Sequence, residues 1–257
     1  MLLLIKFLIF ASSALIFILF NAISFSPRYF FLWGALMIII AILISFFILR
    51  KKTCILDKFL FMISPIFFIL SSLFASIFLN NSIYKFIFFI AISYIIFLYL
   101  ENLFAYFHAP AKYNIYSLEN ISGYINLASI FFISFGAYGI KVLFGMNIYW
   151  VVVLAIITFA IFFLFYYQML WVNKISISET GKYFFATGLI LMEIYLAIFL
   201  LPGSFYTAGA IFAIAYYVLM GIVRLKLLDK LDRKNIIKYL SIGSLMFLLL
   251  MITTRWM

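Results

Sequence analysis

The sequence predicts an all-α, polytopic transmembrane helical bundle of about nine spans, eight if the first is cleaved, in one membrane domain covering 1–257. Three observations carry this. Apolar runs of about 20 residues, the length that crosses a bilayer, follow one another almost from end to end. Only 10% of the residues are charged and 69% are hydrophobic, far from the roughly 25% charged of a soluble domain. The lysines and arginines also sort to one side of the predicted membrane, as cytoplasmic loops require.

The spans follow in order. The first, 2–20, is interrupted only by Lys6. Ala22-Ile-Ser24 would suit signal-peptide cleavage, whereas the length of the apolar stretch favours a retained helix. Pro27 in the next linker suits a helix start. The second span, 29–49, stops at Arg50-Lys51-Lys52. The third, 59–79, carries Pro65, which predicts a kink or a late start. Asn80-Asn81-Ser82 turns into the fourth, 83–100. The fifth, 119–141, follows Ser117 as a candidate N-cap, with Glu119 in the first turn where the helix dipole favours an acid. Gly145-Met146-Asn147 leads to the sixth, 148–171, and a polar loop to the seventh, 182–201. Pro202-Gly203-Ser204 leads to the eighth, 205–223, and a basic segment, 224–238, to the ninth, 237–252. Trp33, Trp150, Trp171 and Trp256 all fall at span ends, where interfacial anchors belong.

Nine spans place fourteen of the 18 lysines and arginines on the side of the N-terminus, leaving Arg28, Lys85, Lys141 and Arg255 on the other. Positive charge marks the inside, so the N-terminus is expected inside and the C-terminus outside a cytoplasmic membrane. This sorting accounts for the net charge of +11 with no nucleic-acid partner. The basic loops, above all 224–238, are expected against anionic headgroups. That segment reads as a helical extension, with Leu227, Leu228 and Leu231 on one face and Asp229 spaced to pair with Arg233 on the other.

Several chemistries are excluded. Cys54 is the only cysteine, so no intrachain disulfide forms, and His108 is the only histidine, so no site takes two imidazoles from one chain. The sequence has no Gly-rich phosphate loop, HExxH or GxSxG. No cofactor and no metal site are predicted. Cys54 sits beside a basic run, where thiols can be acylated; an inert thiol is the simpler expectation.

Glu193 is the most deeply placed charge, 11 residues from Lys182, or about 16 Å along a helix. A carboxylate at that depth costs several kcal/mol, so it is expected to face the bundle interior. Asn126 and Ser129 are three apart on the fifth span and share a face at similar depth. Glu101 and Asn102 close the fourth span, and Tyr217 and Arg224 lie toward the end of the eighth. Together these form a candidate intramembrane polar site; taken singly, such side chains also serve as interhelical glue. Tyr94, Glu101 and His108 recur every seven residues, and a Glu101–His108 pair is a candidate interfacial proton relay if the helix continues to Pro110. The alternative there is an interfacial connector with snorkelling polar groups.

The run SLENISGYINL (117–127), Glu193 ahead of Leu201-Pro202, and the terminal Thr253-Thr254-Arg255-Trp256 resemble an uncharacterised multi-pass membrane family of AT-rich candidate-phyla bacteria. The resemblance implies a helical bundle and brings no activity with it. Three classes of function stay open. A transporter or ion/proton-coupled carrier comes first, because isolated intramembrane carboxylates often mark ion or substrate pathways. The alternatives are a membrane-embedded enzyme acting on lipid-linked substrates and a non-catalytic assembly subunit. A homo-oligomer or a membrane partner is compatible with each.

Overall fold

A computed structural model describes residues 2–49, 55–110, 113–114, 117–144, 148–173, 175, 177–201 and 203–254. The basic stop at Arg50–Lys52, Cys54, Lys112, the turn at 145–147, Lys174, Pro202, Arg255 and Trp256 lie outside the described residues, as do the side chains of Lys58 and Trp150. Among those described, nine α-helices and no strand are found: α1 (Leu2–Phe25), α2 (Phe30–Leu49), α3 (Ile55–Ser76), α4 (Ser82–His108), α5 (Ser117–Phe144), α6 (Ile148–Val172), α7 (Ile177–Leu200), α8 (Phe205–Leu227) and α9 (Arg233–Thr253). Eight are long and apolar enough to cross a membrane, and the chain is a multi-pass membrane protein.

The helices exceed the predicted spans where polar turns continue an apolar core. Apolar runs mark what lies in hydrocarbon, while backbone hydrogen bonding carries a helix on into the headgroups. Thus α4 runs to His108 and stops two residues before Pro110, α7 starts at Ile177, and α9 starts at Arg233.

The chain divides into two units, Met1–Ser129 and Ile130–Met257, with α5 contributing its first half to one and its second half to the other. In the first unit α1 packs on α2 and α4, and α2 on α3. Aromatic rings fill the α1–α4 seam: Phe20 stacks on Phe89 at 4.8 Å, and Phe17 meets Phe86 edge-on at 5.6 Å. A 3-10 turn, Pro27–Tyr29, joins α1 to α2. There Ser26 Oγ donates to the Ala22 carbonyl at 2.8 Å and accepts from Trp33 Nε1 at 3.0 Å.

Pro65 neither delays nor ends its helix; α3 starts before it, at Ile55, and continues past it to Ser76. Proline has no N–H to give the carbonyl four residues back. That carbonyl, Phe61 O, accepts the hydroxyl of Tyr99 on α4 at 2.7 Å. Both side chains are fully buried, so a donor from a neighbouring helix stands in for the one the backbone lacks.

In the second unit α6, α7, α8 and α9 pack as successive neighbours. The second half of α5 meets α8 at Gly209, where a Cβ would lie 2.8 Å from the Phe135 nitrogen and 2.9 Å from its Cα. Only glycine permits that approach of two backbones. Tyr138 on α5 donates to the Tyr195 carbonyl on α7 at 2.9 Å while their rings stack at 5.1 Å. Lys141 donates to the Phe199 carbonyl near the end of α7, where a cation is favoured by the dipole, and lies over the Phe199 ring at 3.9 Å.

The basic segment is not the continuous helix its sequence suggested. α8 ends in a Schellman motif: Lys230 N–H bonds Leu225 O at 2.9 Å, Asp229 N–H bonds Lys226 O at 3.2 Å, and Asp229 takes a left-handed φ of 53°. Asp229 and Arg233 therefore lie on opposite sides of a turn rather than one helical turn apart.

Candidate functional site

Glu193 does not face the interior. It lies on the exposed stripe of α7 with Lys182, Phe185, Ala186, Leu189, Ile190, Ala197 and Leu200, while Phe184, Thr187, Gly188, Leu191, Tyr195 and Ile198 form the buried face. At about 100° per residue, Phe184 is half a turn from Glu193. The buried face is chosen by shape: Gly188 leaves room for Phe159, whose Cε2 would sit 2.3 Å from an added Cβ. Phe184 then stacks on Phe162 at 5.5 Å, and the opposite face, with its carboxyl, is turned outward. Glu193 has no hydrogen-bond or ion-pair partner among the described residues.

Asn126 and Ser129 do share a buried face, in the first unit. Asn126 Oδ1 accepts from Ser64 Oγ of α3 at 3.1 Å, and Ser129 Oγ donates to its own helix at Ile125 O, 2.8 Å away. Two residues not predicted for the site extend that face. Glu119, Ser122, Asn126 and Ser129 are only 7, 5, 6 and 0% exposed, and their 3-4-3 spacing puts all four along one side of α5. Glu119 had been assigned a dipole role on position alone, and Ser122 carried no signal beyond this spacing.

Asn102 ties the end of α4 to the start of α5. Its Nδ2 donates to Leu98 O at 2.8 Å, and its Oδ1 accepts the Ser117 hydroxyl. α5 begins at Ser117, so Ser117 stands in its first turn rather than ahead of it as the N-cap its sequence suggested. The backbone N–H of Leu118 is met by the Tyr113 hydroxyl at 3.0 Å. Tyr113 packs edge-on against Tyr106 at 5.1 Å. Burial pushes the Tyr113 phenol above its ordinary value; the Leu118 N–H opposes this, and Tyr106 and Glu119 add to it.

The Glu101–His108 relay is not assembled. α4 continues to His108 as the relay required, but Glu101 is exposed and has no hydrogen-bond partner among the described residues. His108 turns away, its Nε2 reaching Ile48 O of α2 at 2.7 Å and its ring stacking on Phe104 at 5.2 Å. In the second unit Tyr217 is half-buried against Tyr239 at 5.4 Å, and Arg224 is half-buried in the last turns of α8. The candidates thus fall into two sets, one per unit.

The second unit holds a small, partly open pocket of ≈ 10 Å³ lined by Thr158, Phe159, Gly188, Tyr195 and Tyr216 among others. That is about the room one water needs, and Glu193 does not line it. Among the described residues no three of His, Cys, Asp and Glu come together to hold a metal ion. No family model, curated protein or solved structure matches the chain.

Proposed function

We propose that this protein carries a proton or small cation across the membrane, along the polar face of α5 in the first unit. The observation that supports this is the buried stripe Glu119–Ser122–Asn126–Ser129, joined by Ser64. It runs ten residues, about 15 Å, or half the roughly 30 Å of hydrocarbon. Burying polar groups in an apolar medium is unfavourable unless they bond to one another or to something that passes. Carboxyl, amide and hydroxyl oxygens are the ligands that suit hard cations and protons. With the N-terminus inside, Glu119 marks the cytoplasmic end of the stripe, and the stripe supplies the inner half of the path, as far as Ser129 near mid-membrane.

An enzyme of lipid-linked substrates would need a second group within reach of Glu193 or Glu101, and neither carboxyl has one among the described residues. The test is flux into proteoliposomes holding a pH- or cation-sensitive dye. Wild type and Glu193→Gln should conduct equally, while Asn126→Leu and Glu119→Gln should each lower the rate at least tenfold. Unchanged flux in Asn126→Leu, or none in wild type under an imposed gradient, would overturn the proposal.

A further inference from the structure

We infer that the outward stripe of α7 is a self-association face, on which a second copy of this chain docks with Glu193 opposite Glu193. The inference is independent of the carrier function, which uses the other unit.

The stripe is well defined. Phe185, Ala186, Leu189, Ile190, Glu193, Ala197 and Leu200 are all exposed and recur at the three- and four-residue spacing of one helix face. Glu193 lies seven residues before the end of the Thr180–Leu200 span and 13 after its start, or about 10 and 20 Å along the axis. It therefore sits within hydrocarbon, where an ionised carboxylate costs several kcal/mol and a neutral carboxyl still has a donor and an acceptor to satisfy. Among the described residues the other exposed carboxyl of a span, Glu101, differs in depth: it lies 19 residues into Ser82–His108, nearly 29 Å from the start, at the edge of the apolar layer.

A helix that exposes one polar group to lipid gains by pairing that group across an interface. A second copy is the occupant the chemistry fits. Rotation about a two-fold axis parallel to the helices brings one residue of a stripe against its own copy. A carboxyl that keeps its proton donates and accepts at once, so two of them, or two sharing one proton, complement each other with no new side chain required. No lysine or arginine shares the stripe between Phe185 and Leu200, so a copy brings no cation to that depth and the match is carboxyl to carboxyl. Ala186 and Ala197, two turns before and one turn after Glu193, keep the flanking contacts short enough for the two helices to approach.

The experiment uses the full chain in phosphatidylethanolamine–phosphatidylglycerol vesicles. In a Cys54→Ser background, Ala186→Cys and Ala197→Cys should cross-link to dimers on oxidation, at least tenfold faster than Leu245→Cys on the exposed face of α9. Fluorescence transfer between labelled copies, measured as protein is diluted into lipid, should show a dimer that Glu193→Leu weakens at least tenfold. Glu193→Gln should keep it, since an amide also donates and accepts. Both variants change an outward side chain and leave the packed face of α7 intact. Monomeric wild type at all dilutions would overturn the inference and point to a foreign helix or to lipid. Equal cross-linking at Leu245→Cys, or a Glu193→Leu dimer as strong as wild type, would overturn it as well.

Discussion

Replacing Tyr99 with phenylalanine removes one oxygen from the middle of the first unit and leaves its ring in place. The hydroxyl donates at 2.7 Å to Phe61 O, the carbonyl that Pro65 cannot serve. Losing a donor to a buried acceptor costs about 1–3 kcal/mol in soluble proteins. Interhelical bonds in membranes average about 0.6 and reach about 1.7 kcal/mol, because the unfolded helices find other partners. A proline-deprived carbonyl belongs at the upper end, so Tyr99→Phe should destabilise by about 1–2 kcal/mol, a factor of roughly 5 to 30 in the unfolding equilibrium. The Pro65→Ala background supplies the missing N–H, and there the same change should cost under about 0.5 kcal/mol. Unfolding in mixed micelles, followed by far-ultraviolet circular dichroism for all four proteins, gives the coupling directly. An additive cycle, with Tyr99→Phe equally costly whether or not Pro65 is present, would refute the idea that Tyr99 stands in for the proline's absent donor.

Three other outcomes follow from local geometry. Asp229→Gly should stabilise the α8–α9 turn by about 0.5–1 kcal/mol in the same unfolding assay, since glycine takes a left-handed φ without a Cβ clash. Gly209→Ala should destabilise by about 1–3 kcal/mol, because the new methyl meets the Phe135 backbone, which cannot rotate away as a side chain would. Tyr113 binds its proton more tightly when folded, so the stability it contributes is full below the unfolded phenol's value of about 10 and falls as pH rises through the folded one. Unfolding of wild type should therefore show a loss of stability as pH rises above about 10 that Tyr113→Phe does not share, and the variant should be the less stable of the two at neutral pH.

The helices were legible because hydropathy reports directly on what lies in hydrocarbon, and their ends were less so because charged turns such as Arg233–Asn235 stay helical outside it. Which way each helix faces was harder to read. α7 offers Glu193 among Leu, Ile, Phe and Ala on every side, and its rotation is decided by Gly188 receiving Phe159, a fit between two helices that no pattern on one of them records. Asn126 and Ser129 were found by spacing, and the same spacing extended backward reaches Ser122 and Glu119. The Glu101–His108 pair failed for a reason of the same kind: His108 has a better partner on α2, at Ile48 O, invisible from the seven-residue repeat. Ser117 had the right identity for a cap, yet the helix already includes it, and Tyr113 meets the N–H of the next residue, Leu118.

The central claim, that the polar side of α5 is a path open to water, is tested most directly by its reactivity from solution. Cysteines placed singly at Ser122, Asn126 and Ser129, in a Cys54→Ser background, would be exposed to a small charged methanethiosulfonate, with Leu127 and Ala128 as half-buried positions off the stripe. Labelling that falls in rate from Ser122 to Ser129 and is absent at Leu127 and Ala128 is the predicted result. Labelling at none of the five, or at all of them alike, would contradict it.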